Sequence, residues 1–486
     1  MNTESPGKQC PAQPGCHGVS TDRLSSPRVM PLRHPSKGKI AFFGNFGTGN
    51  LGNEATLQAM LSGVRRYLPK AEIACVCSGP ANTASTHDIS VFPTRASFSI
   101  RKMFSAWRKN EGGMEGSGAS APGPPRETRR PRGLSWLKAP LMEAYRWLKG
   151  LKTLWGTDAL IVPGTGLLTD AYTLFDWGPY DMFRWSVTAK LCRCKLFFVS
   201  VGAGPLYSRA GRFFAKAALS LADFRSYRDE STLQYLKGIG FQARNDRVYP
   251  DLAFSLPESL IPRGHHSEGR RLVVGLGLME YTGSAKYTVE RPTSTVYSAY
   301  VEALVEFVRW LLAHDYDVRL LIGDFVDTTL TREFRSLLKE RSVTHEEKRI
   351  IEEPVASVED LLRQLAATDL VVATRFHNVL LSLLLHKPVL AISFHHKCSS
   401  LMRQMGLSEY YQDINHLDSS RLIEQFRQLQ QNGDCVKRMV REKVKTCRDA
   451  LEEQYGIIFG DICPDRHQVV PPAMAIRHKP TTSVLS

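Results

Sequence analysis

"KIAFFGNFGTGNLGNEA", residues 39–55, sets a short apolar run against a loop of glycine and asparagine, and then opens a helical pattern. The run predicts a strand over 39–43, the periodicity beyond it a helix over 54–68, and a second apolar run another strand over 72–77. This is the β-loop-α-β beginning of a parallel sheet. Gly47, Gly49 and Gly52 also spell G-x-G-x-x-G, the turn that brings a dinucleotide onto a helix N-terminus. That device needs an acid at the carboxyl end of the second strand to hold the ribose. Here the strand ends Cys77-Ser78-Gly79-Pro80, while Glu72 stands at its start, the wrong edge of the sheet. The general physics remains. Glycines let the backbone turn and approach a ligand closely, and a helix N-terminus presents unpaired N–H groups to an anion or a sugar hydroxyl. Gly44, Asn45, Gly49, Asn50, Asn53 and Glu54 are therefore predicted to face a ligand, with a purely structural turn as the alternative.

The same alternation continues outward. A strand at 159–162 runs into "PGTGLLTD" (163–170, with Gly164 and Gly166), and one at 195–200 runs into "VGAGPL" (201–206). "FRSYRDESTLQYLKGIG" (224–240) reads as a strand, a polar turn and a helix stopped by glycine, and "VYPDLAF" (248–254) closes the half. After a stretch of proline and charge, strands are predicted at 272–276, 318–322, 349–352, 369–373 and 389–393. Helices fall at 296–313, 330–339, 358–367 and 377–386. Strands alternating with helices require a parallel sheet covered on both faces. The reading is an α/β protein of two Rossmann-like doubly wound domains facing across a cleft, 38–256 and 272–463, joined by a linker at 257–271. Residues 1–37 and 464–486 read as disordered tails and 109–133 as a flexible low-complexity insertion. The helix in "SWLKAPLMEAYRWLKGLKTLW" (135–155) is expected to pack its aromatic residues on the domain, with a membrane interface as the other reading.

A chain of 486 residues with 43% apolar content can build two such cores. The best apolar stretch, 379–394, is interrupted by His386, Lys387 and Pro388, and the first forty residues lack a signal core. A soluble, cytoplasmic protein is expected. Net charge is +15, and Lys and Arg crowd between 100 and 152. No aromatic residues alternate with them as a nucleic-acid platform requires. Solvated charge, or attraction to the inner face of an anionic membrane, remains. The ten cysteines form no framework, and the C-x-C pairs Cys75/Cys77 and Cys192/Cys194 lie in strand-like stretches, so reduced thiols, no metal and no cofactor are expected.

The second informative stretch is "ATRFHNVLLSLLLHKPVLAISFHHK", 373–397. Arg375 and His377 follow a buried strand and open a helix, at the carboxyl edge facing the cleft. Arg offers a planar fork for a carboxylate or phosphate, and His moves a proton near neutral pH. A capping Arg beside a core His is the bland alternative. His395, His396 and Lys397 follow the next strand and could flank the site.

Taken in order, "GNFGTGNLGNEA", "PGTGLLTD", "VGAGPL", "SYRDEST", "PDLAF", "TRFHNVLLSLLLHKPVLAIS" and "KCSSLMRQMGL" resemble the polysaccharide pyruvyl transferases, over about residues 38–410 apart from the insertion. The resemblance implies a GT-B-like fold and transfer of pyruvate from phosphoenolpyruvate onto two hydroxyls of one sugar, as a cyclic ketal. The acceptor would be a polysaccharide or lipid-linked glycan precursor. It further implies that Arg375, Phe376, His377 and Asn378 match the donor site. Arg228 of "SYRDE" would be a second donor-binding arginine, with His377 the acid–base group. The glycine loops, with Gly164 and Gly166, would lie on the acceptor side. The family's usual acid in the first loop is replaced by Asn53. Two other readings stay open: a GT-B-like nucleotide-sugar glycosyltransferase, with Glu352 and Glu353 gripping the ribose, and a non-catalytic glycan- or anion-binding homologue.

Overall fold

The computed structural model describes residues 38–95, 135–164, 166–170, 178–244, 246–262, 270–280, 294–341, 348–394 and 396–463. The expected tails, the 109–133 insertion and residues 263–269 of the expected linker lie outside the described residues. All described residues belong to one compact unit, Ser36–Ser486.

The first lobe is built on strand β1 (Lys39–Gly44), whose Ile40, Phe42 and Phe43 are buried because helices cover both faces of the sheet. Next come α1 (Leu51–Tyr67), β2 (Glu72–Cys77), α2 (Pro80–His87), β3 (Ser90–Pro93), α3 (Ser135–Leu154) and β4 (Ala159–Pro163). The lobe continues with α4 (Gly178–Leu191), β5 (Lys195–Val201), α5 (Arg209–Ser220), β6 (Phe224–Tyr227), α6 (Glu230–Gly238) and β7 (Arg247–Val248). The strands form one parallel sheet in the order 3-2-1-4-5-6-7.

The second lobe runs β8 (Val273–Gly277), α7 (Ser294–Ala313), β9 (Asp317–Leu321), α8 (Asp327–Glu340), β10 (Ile350–Ile351), α9 (Val358–Ala366) and β11 (Leu370–Ala373). It ends with α10 (Phe376–Leu384), β12 (Val389–Ser393), α11 (His396–Gln404), β13 (Tyr411–Asp413), α12 (Ser419–Gln431) and α13 (Gly433–Ile462). Its parallel sheet has the order 10-9-8-11-12-13. Strand order reverses next to β1 and next to β8, and in such sheets the crevice at the carboxyl ends of those strands is where ligands bind.

Two local differences from the sequence reading matter. Helix α1 begins at residue 51 rather than 54, because the Asn50 side chain accepts the Asn53 N–H (3.2 Å) and caps it there. Gly52 is thus a helical residue and not part of a turn. The segment expected to close the first half is a two-residue strand followed by a 3-10 turn (Leu252–Ser255).

The lobes touch directly. Leu51 N–H donates to the Gly323 carbonyl and Phe325 N–H to the Gly49 carbonyl, both at 3.1 Å, a short antiparallel bridge across the cleft. Helix α13 joins them again. Its Met439 lies against Gly406 of the second lobe. Its fully buried Gln454 bonds Ser200 (3.2 Å) and Ser226 (2.6 Å) under β5 and β6 of the first.

Candidate active site

Arg228 follows β6, and its N–H is held by the Val201 carbonyl at 3.2 Å. Asp229, next in the chain, caps α6 by accepting the Thr232 N–H at 2.7 Å. Strand β5 bulges between Phe198 and Val201, with Ser200 at φ 48°, a left-handed conformation costly for a side-chain-bearing residue. Beyond the bulge, Gly202 lies so near the guanidinium that a Cβ there would sit 2.5 Å from Arg228 Nε. Arg228 is 7% exposed. It faces Asp251 (3.4 Å) and Asp229 (3.5 Å), and its Cζ lies 5.0 Å from the centre of the Phe376 ring, a cation–π contact between the lobes.

His377 opens α10 and packs edge-on against Phe376, ring centres 5.0 Å apart. From the other side, α1 presses on it: a Cβ on Gly52 would fall 1.8 Å from His377 Nδ1. Nε2 of His377 and Nε of Arg228 are buried without a hydrogen-bond partner. Buried polar atoms are nearly always satisfied, so two orphans converging from opposite lobes mark a place for a polar ligand. Desolvation pushes the His377 pKa down to about 4; Asp251 opposes the shift, while Arg228, Lys397 and Arg375 add to it. The imidazole is neutral at pH 7.

Lys397, in the first turn of α11, belongs to the same cluster. Desolvation first and Arg228 second push its pKa down to about 7, against Asp229 and Asp251. The sequence reading places it only on the flank. Its signal was the motif "HHK" directly after a buried strand, at the same edge as Arg-x-His. His396 is exposed. His395 lies outside the described residues.

Arg375 does not point into this cluster. Its Nε (2.8 Å) and Nη2 (2.6 Å) grip Asp327, which is fully buried at the start of α8, and its Nη1 lies 3.9 Å from Asp324. Asp324 in turn accepts from Asn50 Nδ2 across the cleft at 2.8 Å. Arg375 is thus the hub of an ion pair that holds the turn after β11, and it acts on His377 through position and field. Asn378 is wholly buried, hemmed in by Gly277 and Gly323, with both amide atoms unpaired.

Within the first-lobe loop, Asn53 Nδ2 donates to the Asn45 carbonyl (2.9 Å) and Glu54 accepts the Gly47 N–H (2.7 Å). Gly47 and Gly49 have φ of 73° and 89°, the left-handed region that glycine enters without strain. Asn50, Asn53 and Glu54 therefore bind the loop to itself and to the second lobe. Gly164 lies under the Ser200 carbonyl, 2.3 Å from where its Cβ would be. Gly44, Asn45 and Gly166 line a pocket of about 360 Å³ at the carboxyl edge of the first sheet, with Thr94, Arg95 and Asp181 on its wall. Arg95 pairs with Asp181, and desolvation holds that carboxyl above its usual range despite Arg95 and Arg184. At the second lobe's far edge, Glu352 pairs with Arg335 (2.8 Å) and Glu353 with Arg319 (2.7 Å). No group of three or more metal-ligating side chains occurs among the described residues, and their cysteines are free thiols.

The family described as polysaccharide pyruvyl transferase matches residues 50–396. Among solved structures, a UDP-N-acetylglucosamine 2-epimerase is 12% identical with a TM-score of 0.50, covering 87% of this chain and 98% of its own. The co-structure of S. aureus MnaA with UDP is 11% identical with a TM-score of 0.50, covering 84% and 91%. A glycosyltransferase from Rickettsia africae ESF-5 is 12% identical with a TM-score of 0.49, covering 88% and 99%. At this identity the likeness with TM-scores of 0.50 is one of fold, the GT-B-like pair of facing Rossmann-like domains.

Proposed function

The chain belongs to the polysaccharide pyruvyl transferase family, and from that membership and the cluster between the lobes we propose that it transfers pyruvate from phosphoenolpyruvate to a glycan. The product is a cyclic ketal on two hydroxyls of one sugar. The observation that carries this reading is the meeting of Arg228 from the first lobe with His377 and Lys397 from the second, Arg228 and His377 each with a buried nitrogen that lacks a hydrogen-bond partner. A small donor with a carboxylate and a phosphate supplies what those nitrogens lack.

The chemistry follows from the protonation states. Lys397, pushed down to about 7, is a competent acid near neutral pH and gives its proton to the methylene carbon of the donor, which becomes the methyl group. His377, pushed down to about 4, is a neutral base and takes the proton of the first sugar hydroxyl as its oxygen bonds to C2. Arg228 neutralises charge that grows on the phosphate as its C–O bond breaks. The second hydroxyl then adds to C2 and closes the ring. Of the two hydroxyl protons, one replaces the proton spent on the methyl group and the other leaves with inorganic phosphate. Arg375 serves as a positioning residue through its clasp on Asp327. The pocket lined by Gly44, Asn45 and Gly166 is suited to the acceptor sugar.

The test is incubation of the protein with phosphoenolpyruvate and a panel of glycan acceptors. Phosphate release matched by an acceptor that gains the mass of pyruvate less one water is the expected result. Nucleotide release from a UDP-sugar without phosphoenolpyruvate turnover would sink it in favour of a glycosyltransferase. Tight donor binding without turnover across the whole panel would favour a binding protein.

A further inference from the structure

Helix α3 carries an apolar line that the core does not cover. Leu141 and Leu148, and Trp155 just past its end, are 73%, 67% and 76% exposed. Residues seven apart return to nearly the same face, so the three form one stripe, about 21 Å long at about 1.5 Å per residue. The opposite face is engaged: Tyr180 of α4 donates to Glu143 (2.5 Å), and Thr153 and Leu154 are buried. Leu191, 61% exposed, extends the patch at the end of α4, where Cys192 Sγ donates to the Leu151 carbonyl at 3.6 Å. Single exposed apolar residues are ordinary, but an aligned Leu, Leu and Trp is an interaction surface.

Charge selects the occupant. Lys152 lies on the stripe one turn from Leu148, Lys149 lies beside it, and Arg193 lies two residues from Leu191. Among the described residues none of these three pairs with a carboxylate. The neighbouring acids are occupied: Glu143 with Arg146, Asp223 with Lys190, and Asp158 with the Lys39 N–H. A second copy of a chain with net charge +15 would set cation against cation. We propose that this flank of the first lobe docks on an anionic bilayer, with α3 lying in the plane of the interface, Leu141, Leu148 and Trp155 below the headgroups and the lysines among them.

The docked helix leads to the pocket. Arg184 of α4 donates to the carbonyls of Arg146 (3.5 Å) on α3 and Thr94 (2.8 Å) on the pocket wall. Arg184 thus ties the docking helix to the wall of the pocket, an arrangement suited to an acceptor sugar held on a lipid. This part rests on the acceptor reading above; the docking does not.

The experiment is co-sedimentation of the full chain with phosphatidylcholine vesicles, with and without phosphatidylglycerol. Binding is expected only with phosphatidylglycerol and is expected to weaken with salt. Lys149→Gln or Lys152→Gln should weaken it about fivefold each. Leu148→Glu combined with Trp155→Glu should weaken it more than about tenfold, with the thermal unfolding of the parent. Phosphate release with a water-soluble acceptor should be unchanged in these variants, which separates failure of docking from failure of the catalytic reading. Equal binding to both vesicles, binding to neither, or unchanged binding of the double variant would overturn the proposal. So would a dimer that the double variant dissociates while vesicles leave the protein in solution.

Discussion

Gly52 and His377 come from different lobes, and the glycine lies where any side chain would strike the imidazole: its Cβ would be 1.8 Å from Nδ1. The glycine is needed here for close approach, since its conformation is ordinary helix. Gly52→Ala should force the lobes apart at the site. A misplacement of about 1 Å commonly costs on the order of a hundredfold in rate, so kcat/KM for phosphate release should fall by about that factor. Overpacking should cost about 1–3 kcal/mol of stability in a urea titration. A variant with parental kinetics would remove His377 from the mechanism.

Arg228→Lys keeps the charge and loses the fork. Loss of about a hundredfold in kcat/KM is expected, with the circular dichroism of the parent. Steady-state kinetics with varied phosphoenolpyruvate checks it; an unaltered rate would mean that the guanidinium serves only Asp229 and Asp251.

Asp327→Ala leaves Arg375 without its main partner and the Glu280 N–H without its acceptor, now at 2.9 Å. Breaking such a buried pair should cost about 3–5 kcal/mol. Asp327→Ala combined with Arg375→Leu should be more stable than Asp327→Ala alone, because the unpaired buried charge is gone. Urea unfolding of the three proteins measures this.

The pH dependence has a definite shape. With His377 needed neutral and Lys397 needed protonated, kcat/KM should rise with pH through about 4 and fall through about 7. Lys397→Arg should abolish the alkaline limb, and the pH–rate profile reads this directly. Stability has its own sign. Both groups are bases whose folded pKa lies below the ordinary value, so the unfolded chain binds more protons. The His377 contribution is therefore lost as pH falls from about 6.5 towards about 4, and that of Lys397 as pH falls from about 10.5 to about 7.

Asn50 both caps α1 and reaches Asp324 in the other lobe. Asn50→Ala should cost about 1 kcal/mol for the cap alone, more with the bridge, seen as a lower urea midpoint.

Much of this arrangement was legible in the chain. The strands are short apolar runs between turn residues, and alternation with helices leaves a parallel sheet as the one consistent solution. Every parallel strand of a sheet ends at the same edge, so the residues after the strand at 370–373 in the second sheet were expected to open onto the cleft, while Arg228, after the strand at 224–227 in the first sheet, was singled out only by the family resemblance. What escaped depended on tertiary partners. Arg375 is committed to an aspartate 48 residues upstream, a pairing without a local signature. Lys397 looks like any solvated lysine until α11 folds over Arg228. Asn53 and Glu54 have the composition of a ligand loop, yet they spend their polar atoms on Asn45 and Gly47.

Helix α13 gives the two lobes a second strap. A two-lobed molecule with one linker opens like a book. Here Gln454 is fastened beneath the first sheet while Met439 rests on the second. Separation of the lobes must therefore shear or bend a thirty-residue helix as one piece. This helix, which carries no recognisable motif, thereby sets how far the mouth between the lobes can gape.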